Sequence, residues 1–439
     1  MKKNYFTIAL LIFAVLGIQA QEVVFEEYKL DNGLSVILHQ DNTSPVVITS
    51  VAYRVGAKDE NPERTGFAHF FEHLLFEGTK NIERGDWFKI VSSYGGSNNA
   101  YTSDDVTYYY EIFPSNAVEV GLWMESERML HPIINQIGVD TQNEVVKEEK
   151  RLRILNQPYG RLLEHVKKNM FKKHPYRWSP IGSMEHLDAA TLDEFLAFNE
   201  KFYVPNNATL VVAGDIDVPE VKRMIQDYFG PIPRGNDVPR VNIKEEPITR
   251  QIDAVAYDPN IQIPAIVHAY RTPSMTTREA RALNMVSTIL STGRSSRLYR
   301  KLVDDQKIAL EVMALNFSQE DYGIYITFAL PLNNAPLSDI TKSIDEEIVR
   351  IQNELISEEE FQKLQNVFEN NFVNSNATVA GIANSLATFQ MFYGDTNLIN
   401  TEIDIYRSIT REEIRDAARK YLNPNQRLRL EYLPQNDQQ

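Results

Sequence analysis

Two stretches of this 439-residue chain repeat each other at a constant offset. One begins at Thr191 and runs Thr-Leu-Asp-Glu-Phe-Leu-Ala-Phe-Asn-Glu-Lys-Phe-Tyr-Val-Pro-Asn. The other begins at Thr410 and runs Thr-Arg-Glu-Glu-Ile-Arg-Asp-Ala-Ala-Arg-Lys-Tyr-Leu-Asn-Pro-Asn. Glu194 pairs with Glu413, Lys201 with Lys420, Pro205 with Pro424 and Asn206 with Asn425, each 219 positions apart (413 − 194). Each copy reads as a helix closed by an aromatic residue, a Pro-Asn turn and a strand. The same offset sets Pro45 against Pro264, each ahead of an apolar, strand-like run. A common helix-turn-strand idiom can match once by chance, but agreement at one offset in distant places favours duplication.

The duplication predicts an α+β chain of two homologous domains, each a mainly antiparallel sheet with packed helices. Its length also exceeds one ordinary core. Residues 21–232 form the first domain and 251–439 the second. The proline-rich, charged stretch with Pro231, Pro233, Pro239 and Pro247 supplies a linker at 233–250. In each half an N-terminal hairpin precedes helices and further strands. The first hairpin covers Leu30 to His39, with Asp31-Asn32-Gly33 as turn residues near its start.

Residues 1–20 read as an export signal rather than as fold. Lys2 and Lys3 precede an apolar run from Ile8 to Leu16, and Ala20 offers a small residue for cleavage before Gln21. The apolar run is too short to favour a membrane span, so none is expected after signal removal. The chain has no cysteine, which excludes disulfides and lipid attachment at a cysteine. The periplasm is the expected location, with secretion as second choice. At 43% hydrophobic and 24% charged, the composition is that of a soluble globular protein, and a net charge of −15 argues against nucleic acid as a partner.

The chemistry concentrates in His69-Phe70-Phe71-Glu72-His73. On a helix, positions i, i+3 and i+4 share a face, so two imidazoles four apart can chelate one metal ion while the carboxylate between them reaches a water. This is H-x-x-E-H, the reverse of the H-E-x-x-H zinc motif. A histidine on an amphipathic helix is usually structural or superficial. Here, however, two of only eight histidines fall in the pattern, among Phe67, Phe70, Phe71, Leu74, Leu75 and Phe76. Burying them in such a helix is costly unless they are paired or bind a metal.

With these residues the chain resembles the pitrilysin/insulinase family of zinc peptidases, which includes the mitochondrial processing peptidases. The resemblance covers nearly the whole chain after the export segment and implies the third ligand, a glutamate about 76 residues beyond the second histidine and after a Val-Val-like pair. Glu149 lies 76 positions after His73 (149 − 73), following Val145-Val146. Glu148 is the neighbouring alternative, and without the upstream motif both would read as solvated charge. The implied site is one Zn2+ on His69, His73 and Glu149, with Glu72 as general base on a zinc-bound water. Where the family often carries a supporting glutamate, this chain has Gln142, which can orient a ligand or water but cannot be an ionised base.

Gly95 to Thr102 resembles the family's active-site strand, which implies substrate contacts at Asn99 and Ala100. The β-rich run Val106 to Phe113 supports a strand after it. The second half holds no histidine across Ala282 to Leu290, so the metal site belongs to the first domain alone. Gly293 to Tyr299 resembles a segment after which the family places an Arg and a Tyr seven apart. Val303 and Leu310 stand there instead. The resemblance therefore implies half of a clamshell: a homo- or hetero-dimer with a sister chain supplying the Arg/Tyr pair, and a peptide or unfolded protein segment as substrate. The expected function is a zinc-dependent endopeptidase; the alternative is a non-catalytic structural or peptide-binding subunit of the same family.

Overall fold

Strands β-branched on both faces can be buried on both faces only if each face is covered, and this requirement organises the protein. The computed structural model describes residues 22–435. The expected export segment, residues 1–20, lies outside the described residues. The first sheet contains β1 (Glu26–Lys29), β2 (Ser35–Gln40), β3 (Val46–Tyr53), β4 (Ser97–Thr102), β5 (Thr107–Pro114) and β6 (Ala208–Gly214), in the order β1-β2-β6-β3-β5-β4. The second contains β7 (Ile252–Asp258), β8 (Ala265–Thr272), β9 (Ala309–Phe317), β10 (Gly323–Pro331) and β11 (Leu428–Pro434), in the order β7-β11-β8-β10-β9.

Without β1, the two orders are the same. Among the described residues the only parallel pairs, β2 with β6 and β7 with β11, occupy equivalent places. Adding 219 to Val46–Tyr53 gives Ala265–Thr272, which are the limits of β8. The helices Leu192–Phe202 and Arg411–Tyr421 even start with the same capping box, Thr191 with Glu194 and Thr410 with Glu413.

One face of each sheet carries its own domain's helices. Phe70, Phe71, Leu122, Phe195 and Ile225 close the first core, and Leu283, Val286, Ile344 and Ile414 the second. The opposite faces are covered by exchange. Helix Leu162–Met170, from the first half of the sequence, lays Val166 and Met170 on Val267, Ala269, Ile326 and Leu430 of the second sheet. Helix Val379–Thr388, from the second half, lays Ile382, Ala383 and Leu386 on Ile37, Ile48 and Val211 of the first. These helices are themselves repeat partners, since 162 + 219 is 381. Truncating Leu386 to Ala would remove about 2–5 kcal/mol and weaken the first domain from a distant part of the chain.

Neither helix nor strand forms between Phe229 and Ile252. This connection is nevertheless held, because the Glu245 carboxylate accepts the backbone N–H groups of Lys172 and His174, both at 2.7 Å. Near it, the loop between β9 and β10 meets the first domain through buried Lys58, which contacts Asp105 (3.0 Å), Glu320 (2.6 Å) and Asp321 (3.1 Å). Among the described residues no helix is long and apolar enough to cross a membrane.

Candidate metal centre

The helix bearing the pentad, Phe67–Leu74, is only eight residues long, too short to be stable by propensity. Its ends are fixed by buried groups instead. Gly66 enters it at φ +99°, a conformation suited to glycine, and a Cβ there would lie 2.9 Å from the Ile181 carbonyl oxygen. The buried Glu60 carboxylate accepts the N–H groups of Gly66 and Ala68, both at 2.9 Å, which satisfies the helix start. Burial pushes the Glu60 carboxyl up, and these two bonds oppose that rise. Beyond the other end, Arg128 donates to the Leu75 carbonyl at 2.9 Å. Its fully buried guanidinium pairs with Glu111 (3.1 Å) and Glu125 (3.0 Å) and packs on the rings of Trp87 (4.0 Å), Tyr109 (4.2 Å) and Phe76 (4.5 Å).

The apolar side chains Phe70, Phe71 and Leu74 enter the core, leaving His69, Glu72 and His73 on the remaining face. Helix Gln136–Lys150 lies across that face, pinned by fully buried Val146, while Val145 points outward. Glu149 turns inward, its side chain 15% exposed, and Glu148 turns outward, 54% exposed, to Arg151. The Glu149 Oε2 atom stands 3.2 Å from His73 Nε2 and 3.5 Å from His69 Nε2. Donor atoms of the three residues lie within 4.8 Å of one another, the one such group among the described residues.

Burial, followed by the neighbouring His73, brings the His69 pKa down to about 4, so this imidazole is neutral at pH 7 and its contact with Glu149 is not an ion pair. A hydrogen bond from His73 and the nearby positive groups hold the Glu149 carboxyl below its ordinary value despite its burial. Glu72 moves the other way: burial raises it, opposed by a 2.7 Å hydrogen bond donated by the Thr102 hydroxyl.

Thr102 ends β4, the edge strand of the first sheet, so among the described residues β4 has a ladder partner only in β5. Ala100 is half-buried on the same face as Thr102, and Asn99 is exposed on the other, where its side chain accepts its neighbour's N–H at 2.9 Å. Both border a cavity of about 430 Å³ shared with His69, Glu72, His73 and Glu149.

Related proteins share this architecture. The family pattern described as insulinase (peptidase family M16) matches residues 35–182, and that described as peptidase M16 inactive domain matches 189–368. The chain belongs to peptidase family M16. A zinc protease PqqE from Helicobacter pylori is 28% identical over 363 residues, 81% of this chain and 82% of its own length. The crystal structure of a protease from the same species superposes with a TM-score of 0.88 at 25% identity, covering 93% of this chain and 99% of that one. The periplasmic protease PqqL from Escherichia coli shares the fold at 19% identity and a TM-score of 0.78, over 93% of this chain and 47% of that one.

Two M16 expectations meet a different geometry here. Gln142 does not bond to a ligand residue: its amide donates to Glu77 at 2.5 Å, and Glu77 in turn pairs with Arg84. Seven helical residues set Gln142 about 10 Å from Glu149 along the axis, and its amide meets Glu77, four residues beyond His73. In the second domain, Val303 packs half-buried against the core and Leu310 is exposed on β9, so neither position offers the charge or hydroxyl of an Arg/Tyr pair. Sequence reasoning also missed Glu60, Arg128 and Arg153, and it placed Thr102 in the active-site strand without its bond to Glu72. Arg153 was discoverable, four residues after Glu149 and therefore on its helical face. It sits on a π-helical turn, Arg151–Leu155, and its Nη1 lies 2.8 Å from Glu149 Oε1.

Proposed function

We propose that this chain is a zinc-dependent endopeptidase acting on peptides or unfolded polypeptide segments. The observation that carries the reading is the convergence of two imidazole nitrogens and one carboxylate oxygen beside a fourth group, Glu72, held separately by Thr102. The donor set fits zinc: two nitrogens, of which His69 is neutral at pH 7, and one ionised oxygen are the three protein ligands of a catalytic site. Zinc bound there supplies Lewis acidity toward the scissile carbonyl and makes a water more acidic.

The protein's own groups do the rest. Glu72, raised by burial, accepts a proton from the attacking water and returns it to the leaving amine. Thr102 fixes the carboxylate that makes this transfer. The open edge of β4 receives the substrate backbone as an added strand, with Asn99 and Ala100 alongside it. Gln142, linked to Glu77, stiffens the ligand-bearing helix from two turns away. A sister chain placing an Arg/Tyr pair over the cavity, and export to the periplasm, belong to the same proposal and rest on sequence alone.

The test is cleavage of a mixed quenched-peptide library by the purified chain, before and after chelation and after zinc is returned. Chelator-sensitive, zinc-restored cleavage is expected. Silence with one zinc bound, and with any co-purifying sister chain added, would support the non-catalytic subunit instead.

A further inference from the structure

The cavity at the metal centre is lined by a single Lys or Arg, and that residue is Arg153. Its side chain is 77% exposed, whereas Glu149, its partner at 2.8 Å, is 15% exposed. An ion pair so open to solvent is weak and readily exchanged. The contact uses one guanidinium nitrogen, and among the described residues no other acidic side chain is paired with it. Guanidinium carries five donors in a planar fork that matches a carboxylate, so most of its capacity faces the cavity unspent. Phe76 and Phe88, stacked at 5.3 Å, form the apolar wall, and Asn98 and Asn99 are neutral. Since Val303 and Leu310 of the second domain bring no cation, recognition of negative charge within this chain's own site falls to Arg153.

Resting on the peptidase reading above, we propose that Arg153 is a specificity-determining residue that binds a carboxylate of the substrate next to the scissile bond. The site thus selects peptides with an Asp or Glu side chain, or a nearby C-terminal carboxylate, at that place. The Glu149 carboxylate shares the guanidinium rather than competing for it, because Oε2 faces the histidines while Oε1 faces Arg153. Zinc and Arg153 together outweigh Glu72 and Glu149, which leaves the occupied site net positive and receptive to an acidic group. This local field opposes the chain's overall charge of −15, which on its own would favour basic peptides.

The experiment reads binding rather than turnover. Zinc-loaded Glu72→Gln protein is titrated with fluorescein-labelled peptides in which Glu is exchanged for Gln at one position at a time. At one position the Glu peptide binds about tenfold tighter than its Gln twin, the yield of one charge-assisted contact. Adding Arg153→Gln brings that ratio close to one, and Arg153→Lys restores only part of it because a point charge replaces the fork. Zinc affinity is measured on every variant. A ratio unmoved by Arg153→Gln overturns the proposal, and so does a loss of zinc affinity with the ratio intact, which makes Arg153 a positioning residue for Glu149. Absence of cleavage by the unmutated chain on the same peptides counts against the peptidase reading alone, since the binding ratios stand without it.

Discussion

In the first domain the helix after β3, Phe67–Leu74, has eight residues and is held at both ends by buried charge. Its counterpart after β8, Arg278–Ser291, has fourteen and is held by apolar side chains, with Leu283, Val286 and Leu290 fully buried. At the offset of 219, His69 falls on Thr288, Glu72 on Ser291, His73 on Thr292 and Glu149 on Phe368. The sheets around the two helices share one strand order, so the fold does not decide which domain can bind a metal. In the proposed reading, that depends on three side chains, His69, His73 and Glu149, and on a short helix held at both ends. A ligand-bearing face full of polar groups contributes little to packing. Glu60 and Arg128 supply the rigidity that the longer helix obtains from its apolar face.

The largest expected effect removes the chemistry from the first domain while keeping its structure. Glu72→Gln should lower peptide cleavage by about a thousandfold, within the range of a general base. Zinc should remain at one per chain by metal analysis. Undiminished cleavage would show that Glu72 is not what separates the two domains. Next comes the frame. Arg128→Met leaves Glu111 and Glu125 buried without their cation and should cost about 3–5 kcal/mol, read as a lower urea midpoint. It should also weaken zinc binding, because the end of the ligand helix loses its anchor at Leu75.

The contrast between the domains was partly legible in sequence. The Pro-Asn turns carry the repeat because their backbone requirement survives divergence. The pentad declares itself through helical spacing, and Glu149 follows once the family resemblance supplies the spacing from His73. The exchange of helices Leu162–Met170 and Val379–Thr388 was not legible, since an amphipathic pattern shows that a face is apolar but not which sheet will cover it. Glu60 and Arg128 were equally hidden. Their sequence reads as ordinary surface charge, and only the fold brings Arg128 to the Leu75 carbonyl from 53 residues away.

Acid should separate the domains by a smaller margin in the metal-free protein. His69 titrates near 4 when folded, against about 6.5 when unfolded. The unfolded chain therefore takes up this proton first. The stability His69 contributes is complete above about pH 6.5 and is lost as the pH falls toward 4. Glu360 in the second domain is held at about 2, chiefly by the bond from Arg297, so its contribution is complete above about pH 4.5 and is lost only as the pH falls through 2. Trp87, Trp123 and Trp178 all lie in the first half of the sequence, which makes tryptophan fluorescence a reporter of that half. Asp59 and Glu60, raised by burial, act with the opposite sign, so the His69 share is read as the urea midpoint relative to that of His69→Gln, a difference that should fall between pH 6.5 and 4. A difference that stays constant over that range would rule out the His69 contribution.

The smallest expected effect is none, and it probes the comparison most directly. Thr288→His with Thr292→His copies the His69 and His73 spacing onto the second domain. A second zinc should still not bind. Thr292 closes the last turn of its helix, its N–H donating to the Thr288 carbonyl at 3.0 Å, so the two side chains do share a face. Two imidazoles at that spacing are nevertheless one ligand short of the three that a catalytic zinc site takes from the protein. The third position is not prepared, because Phe368 stacks on Tyr406 at 4.5 Å within an apolar contact. Titration with zinc should saturate at one ion per chain. Saturation at two would mean that the shared fold is sufficient and that the caps on Phe67–Leu74 serve stability alone.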